Sequence, residues 1–79
     1  ITIDQDGIIQ YCNPTFLQAT GWDEESILHT NWNNYLVDQN EAHVYHVLKK
    51  QGFIDKLKRK FLSKEGLHRS FKFNVVIHH

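Results

Sequence analysis

The spacing of apolar residues changes along the chain, and each change predicts a different secondary structure. Residues 1–3 alternate between apolar and polar side chains, and residues 8–12 are rich in β-branched and aromatic ones, so both segments are expected to be strands. Over residues 13–51 the apolar positions recur every three or four residues, which predicts helices. Alternation returns over 53–63 and 67–79 and predicts two longer strands. This order indicates an α+β fold, in which helices cover one face of an antiparallel sheet.

Residues with special backbone preferences mark the ends of these elements. Asp6-Gly7 is a tight-turn dipeptide, and it is expected to join the first two strands as a hairpin. Asn13-Pro14 combines an N-cap with a proline at the first helical position. Gly21 supplies the left-handed residue that ends this helix. Further helix starts are predicted at Asp23, Asn31 and Asn40, and the helix that begins at Asn40 is expected to end at Gly52.

The segment that contains these signals resembles the start of a PAS domain, a small sensory module. The PAS pattern is D-G-x-I-x-Y-x-N-P-x-F-x-x-x-T-G-[YW]. A second block, Lys64-Glu65-Gly66, resembles the K-[DE]-G turn before the penultimate PAS strand. The resemblance covers nearly the whole chain. The residues that match the first pattern are Asp6, Gly7, Ile9, Tyr11, Asn13, Pro14, Phe16, Thr20, Gly21 and Trp22.

The resemblance implies a single PAS-like domain over residues 1–79 and a five-stranded sheet. Only four strands can be placed in this segment, so the last strand is expected beyond His79, with the domain truncated before it. The implied function is that of a sensory or regulatory module in a multidomain signalling protein. It would bind a small ligand or cofactor between helices and sheet and relay the signal to an attached output domain. The alternative is a ligand-free module for dimerisation or protein–protein interaction.

The amino-acid composition limits the kinds of molecule that this segment is expected to bind. Nine basic and nine acidic side chains cancel, so no overall field favours nucleic acid or a membrane surface. No apolar run approaches the roughly 20 residues of a membrane-spanning helix. One cysteine, Cys12, excludes an internal disulfide and fits a reducing compartment, so we expect a cytoplasmic domain. The resemblance further implies a homodimer attached to a bacterial histidine kinase or diguanylate cyclase type of output domain.

No arrangement of residues in the sequence predicts an active site. The glycines are scattered as turn residues and form no phosphate-binding loop. The carboxylates fall in turns and helix caps, and Cys12 has no obvious base nearby. We therefore expect that this segment is not an enzyme, and that any catalytic activity belongs to an attached domain.

Arg59 is the residue whose position most favours a ligand site. Alternation places it between Leu57 and Phe61, on the strand face assigned to the interior. A buried guanidinium needs an acid, carbonyl oxygens or an anionic ligand, and its planar fork suits a carboxylate. Arg59 is therefore a candidate anchor for a small anion, unless it pairs with a protein carboxylate or extends to the rim of the core. The other candidate ligand-binding residues are Trp32, Tyr45, Leu48, Leu57, Phe61, Phe71 and Phe73.

The identity of any cofactor stays open. His43 and His46 share one face of the longest predicted helix, and some PAS oxygen sensors ligate heme from this helix. That face is offset from Val44 and Leu48, which are assigned to the core, so these histidines are weak candidates for heme ligands. Trp32 is a candidate for stacking on a non-covalent flavin. A flavin–cysteine adduct is not expected, because Cys12 lies outside the helix that carries the reactive cysteine in light-sensing PAS domains.

The outer face of the sheet is predicted to be basic. Strand alternation assigns Lys56, Lys58, Lys60 and Lys72 to the face opposite the core. The PAS resemblance by itself would imply an apolar dimer surface on this face of the sheet. The lysines instead indicate a solvated face or a docking site for an acidic helix or a neighbouring domain.

Overall fold

The strands and helices follow the predicted order along the chain. The structure is a computed structural model that describes residues 1–37 and 42–78. The predicted helix start at Asn40 lies outside these residues. The elements are β1 (Thr2–Asp4), β2 (Ile9–Tyr11), α1 (Pro14–Thr20), α2 (Glu24–Ile27), a 3-10 turn (Trp32–Asn34), α3 (Ala42–Gln51), β3 (Phe53–Leu62) and β4 (His68–His78).

The four strands form one sheet in the order β2-β1-β4-β3. The pairs β1–β2 and β3–β4 are antiparallel as predicted, whereas β1 and β4 are parallel. The helices carry the chain from one edge of the sheet to the other, and β4 then returns beside β1 in the same direction. The α+β architecture with helices on one face is confirmed, but the sheet is mixed rather than wholly antiparallel. The fifth strand that the resemblance implies stays a prediction.

The predicted caps occupy their positions, with one difference in bonding. The Asn13 side-chain oxygen accepts from the backbone N–H of Phe16 at 2.8 Å, and Gly21 adopts φ +79°. Asn31 caps the 3-10 turn in the same way. Asp23 precedes α2 but makes no cap hydrogen bond. Its Oδ2 instead lies 2.7 Å from Lys64 Nζ, which ties α2 to the β3–β4 turn.

The core lies between the helices and the inner face of the sheet. Within β4, buried residues alternate with exposed ones, as the period-two pattern predicts. In α3 the buried residues are Val44 and Leu48, one turn apart. The remaining buried apolar residues come from every layer of the described structure: Ile1, Ile3, Ile9, Cys12, Phe16, Ile27, Trp32, Tyr35, Leu36, Leu57, Phe61, Phe73, Val75 and Ile77.

Candidate functional site

Four aromatic rings fill the space between α1, the 3-10 turn and the β3–β4 pair. Phe61 is at the centre, with 0% of its surface exposed. Its ring centre lies 5.1 Å from that of Tyr35, 5.2 Å from that of Phe16 and 5.9 Å from that of Phe73. The Tyr35 ring is stacked and the other two meet Phe61 edge to face, arrangements that aromatic pairs favour. We call these four residues the aromatic cluster.

A second group of contacts joins α3 to the β1–β2 hairpin. Trp32 Nε1 donates to the Tyr45 hydroxyl at 2.6 Å, and Trp32 itself is 0% exposed. The Trp32 backbone N–H donates to the Gly7 carbonyl at 2.9 Å. Asn33 Nδ2 also donates to the Tyr45 hydroxyl, at 3.4 Å. These bonds satisfy the polar atoms of two large side chains and hold the helix, the 3-10 turn and the hairpin together.

Arg59 lies at the edge of the sheet rather than among the aromatic rings. It is half-buried, and its Nη1 donates to the Lys58 carbonyl at 2.7 Å. It borders a surface cleft of about 310 Å³. The other residues lining that cleft are Leu36, Val37, Lys58, Lys60 and Ser70.

The structure places the other residues predicted to share the Arg59 site in three different surroundings. Leu48, Leu57, Phe61 and Phe73 are buried in the core. Phe71 is opposite Arg59 in the β3–β4 pairing, but it borders a different cleft, of about 220 Å³, between α1 and β4. Phe73 borders this second cleft too, whereas Tyr45 and Trp32 bond to each other. The anion anchor at Arg59 stays a prediction.

The fold agrees with a comparison against protein families. The family model described as the PAS fold matches residues 1–75. The chain belongs to the PAS family. PAS domains are in general non-catalytic sensory and interaction modules, which commonly dimerise and are attached to output domains. No curated protein and no solved structure matches the chain. In the part of this PAS domain that the structure describes, every helix is too short or too polar to cross a bilayer.

The candidate cofactor residues of this PAS domain lie partly in solvent and partly in the core. His43 and His46 are exposed, while Val44 and Leu48 of the same helix face the core. Over residues 1–37 and 42–78, no three metal-binding side chains come together. Trp32 is enclosed and bonded to Tyr45, so its ring has no free face for a flavin.

Cys12 is enclosed at the end of the β1–β2 hairpin. It is 2% exposed, and burial raises the pKa of its thiol above the ordinary range. Because the thiolate is the reactive form, Cys12 is expected to be inert in the folded domain. This supports the packing role that its place in a strand suggests.

Alkylation tests this assignment. At about pH 8, a thiol reagent is expected to modify Cys12 slowly in the native domain and at least tenfold faster in denaturant, since unfolding exposes the thiol. The raised pKa also means that the buried thiol stabilises the fold below the ordinary thiol pKa, and that this stabilisation is lost as the pH rises through the raised value. As the pH rises above about 9, the stability of a Cys12→Ala variant is therefore expected to fall less than that of the wild-type domain. Equal alkylation rates in native buffer and denaturant would contradict the burial.

Sequence reasoning missed Tyr35 and Gly7 as parts of these contacts. The sequence predicts only a short helix around Tyr35, and a single aromatic residue there carries no signal of its stacking partner 26 positions later, Phe61. It predicts a turn at Gly7, because glycine adopts positive φ easily. Because Gly7 has no Cβ atom, the Tyr45 hydroxyl can also lie close to its backbone. This contact is visible only in the tertiary structure.

Proposed function

We propose that this PAS domain is a regulatory interaction module whose interior is filled by its own side chains. The aromatic cluster is the observation that carries the proposal. Phe61 touches three rings at centre distances of 5.1–5.9 Å, with no exposed surface. A ligand in this space would have to displace rings that are already close-packed, at the cost of their contacts. Signals would therefore reach the domain as contacts with other protein segments.

Such a module regulates only if its partner prefers one packing of helices on sheet over another. The bonds from Trp32 to Tyr45 and Gly7 couple α3 to the hairpin, so a shift of either element would also move the other. An attached output domain of kinase or cyclase type would receive that shift. The output domain, a bacterial and cytoplasmic setting, and the homodimer stay predictions from the sequence.

A second function, sensing of a small anion, is favoured by the cleft beside Arg59. Three consecutive cationic residues, Lys58, Arg59 and Lys60, border it, and so does Ser70. Charge-assisted hydrogen bonds from a guanidinium would suit a carboxylate or phosphate. Its volume of about 310 Å³ is at the lower limit of typical ligand sites, so the anion would be small.

Native mass spectrometry of the purified domain, followed by mass spectrometry of a denatured extract, distinguishes the two functions. The filled interior predicts masses of the bare chain and its multiples only. A small anion that is retained by wild type and by a Lys64→Ala control, but lost from Arg59→Ala, would overturn the first function in favour of the second. Retained heme or flavin, visible by its absorbance, would contradict both.

A further inference from the structure

The Asp6-Gly7 pair places a side-chain carboxyl group next to a backbone nitrogen that no side chain shields. Among the glycines of the sequence, Gly7 is the one that follows an aspartate or an asparagine. Because glycine has no Cβ atom, its nitrogen can approach the Cγ atom of the preceding aspartate and close a small ring with it. The pair is therefore able to undergo a spontaneous rearrangement of the backbone.

This rearrangement loses one water molecule, takes one up again and leaves the mass of the chain unchanged. The Gly7 nitrogen forms a bond to Asp6 Cγ, while the proton of the nitrogen and the OH of the carboxyl group leave as water. Water then adds to a carbonyl carbon of the resulting cyclic imide. If it breaks the bond between the nitrogen and the Asp6 carbonyl carbon, the product is isoaspartate. Its main chain runs through Cβ and Cγ, and its α-carboxylate is free.

Hydrogen bonds hold the Asp6-Gly7 pair in an unreactive arrangement in the native domain. The Gly7 N–H donates to the Asp4 carbonyl at 3.0 Å. Asp4 Oδ1 accepts the backbone N–H groups of Asp6 and Ile8, each at 2.9 Å. Asn31 Nδ2 donates to the Asp6 carbonyl at 3.1 Å. Ring closure needs the Gly7 N–H to leave its acceptor and the Asp6 backbone to rotate, so these bonds must open first.

The surroundings of Gly7 leave no room for a longer backbone. Gly7 is buried, and a Cβ atom built on it would lie 3.1 Å from Trp32 Cδ1 and against the Tyr45 hydroxyl. The Gly7 carbonyl accepts the Trp32 backbone N–H at 2.9 Å. Isoaspartate at residue 6 inserts one carbon atom into the main chain beside these contacts. A close-packed interior accommodates such an insertion only by giving up contacts.

The β3–β4 turn has a similar backbone bond but lacks this enclosure. The Gly66 N–H donates to the Ser63 carbonyl at 2.9 Å, and Gly66 has φ +89° where Gly7 has +84°. Among the described residues, no atom lies within 4 Å of a Cβ atom built on Gly66, and residues 64–66 are exposed. Glu65 precedes this glycine, and its longer side chain would have to close a larger ring, which is slower. This turn is therefore a matched comparison for Asp6-Gly7.

We propose that Asp6 is a site of isoaspartate formation that the native β1–β2 turn suppresses, so that chains become modified when this turn opens. This inference goes beyond the proposed function and does not depend on it. A reaction that passes through an opened state follows the population of that state. A modified chain cannot restore the contacts of Gly7 with Trp32 and Tyr45, so the modification makes the opening irreversible.

A Glu65→Asp variant tests the suppression within one molecule, because it places a second Asp-Gly pair in the exposed β3–β4 turn. The variant is incubated in neutral buffer with and without urea, and isoaspartate at residues 6 and 65 is measured by mass spectrometry with electron-transfer fragmentation. In buffer, residue 65 is expected to be modified roughly tenfold faster than residue 6, or more. In urea, the two rates are expected to agree within about twofold, because both turns are then open. Similar rates at the two residues in buffer, or no isoaspartate at residue 6 in urea, would overturn the proposal.

Variants of Asp4 test whether its hydrogen bonds protect the pair. Asp4→Ala removes the acceptor of the Asp6 and Ile8 N–H groups and is expected to raise the rate at residue 6 in buffer about threefold or more. Asp4→Asn keeps a side-chain oxygen and is expected to react as wild type does. Equal rates in these two variants would contradict the protection by Asp4.

Refolding tests whether the modification is irreversible in effect. Wild-type chains are modified in urea, separated from unmodified chains and returned to buffer. The modified chains are expected to unfold at a lower urea concentration than the unmodified ones, because Gly7 no longer fits beneath Trp32 and Tyr45. Equal urea midpoints would show that the fold accepts isoaspartate at residue 6 and would overturn this part of the proposal.

Discussion

A Phe61→Ala variant is expected to lose about 3–5 kcal/mol of unfolding free energy, the range for truncating a fully buried phenylalanine. The side chain has no exposed surface and contacts the rings of Phe16, Tyr35 and Phe73. A domain of 79 residues has a small core, and domains of this size typically have a total stability of about 5 kcal/mol. The variant is therefore left with roughly 0–2 kcal/mol, so up to about half of its molecules should be unfolded.

Urea unfolding followed by circular dichroism measures this loss. Leu67→Ala is the matched control, because Leu67 is 52% exposed and its truncation is expected to change stability by less than about 0.5 kcal/mol. If the Phe61→Ala variant is destabilised by no more than the control, the aromatic cluster does not hold the fold together.

Replacing Gly7 by alanine is expected to cost about 2–5 kcal/mol, through two separate effects. Gly7 has φ +84°, which costs roughly 1–2 kcal/mol for a residue with a Cβ atom. The added methyl group would also clash with the Tyr45 hydroxyl, and overpacking of this kind costs about 1–3 kcal/mol. The Trp32–Tyr45 hydrogen bond is expected to break as the tyrosine moves.

Two further variants separate these effects. Gly66 has a similar φ, +89°, with open space around it, so Gly66→Ala reports the backbone cost alone. A Gly7→Ala/Tyr45→Phe double variant removes the hydroxyl and should recover part of the clash, measured as a non-additive change in urea midpoints. Equal destabilisation by Gly7→Ala and Gly66→Ala would show that Tyr45 does not press on Gly7.

Local signals in the sequence were sufficient for the helices and turns. Asn13 caps α1, and Gly21 ends it, because each residue acts through its own backbone neighbours. Alternation likewise placed Phe73, Val75 and Ile77 in the core. The same rule does not extend through the start of β3, where the register shifts between Ile54 and Leu57, because it assumes an uninterrupted strand. A bulge depends on how the partner strand pairs, and the sequence of β3 alone does not contain that information.

The candidate site was harder to predict than the fold. Alternation placed Arg59 among interior residues, and the structure finds it half-buried at the sheet edge, beside the segment that contains Leu36 and Val37. That segment covers the edge of β3 through backbone bonds, such as the one from the Leu62 N–H to the Tyr35 carbonyl at 2.8 Å. Contacts between positions this distant in the chain decide whether a space stays open or is filled.

Xenon binding tests most directly whether the interior of this PAS domain is filled. Xenon enters apolar cavities that stay free of water, and it shifts the NMR signals of the side chains around them. A filled interior predicts no xenon-dependent shifts at Leu48, Leu57 or Phe73, while a folded fraction of the Phe61→Ala variant should show them. Saturable shifts at these residues in the wild-type domain would contradict the filled interior and favour a ligand-binding cavity.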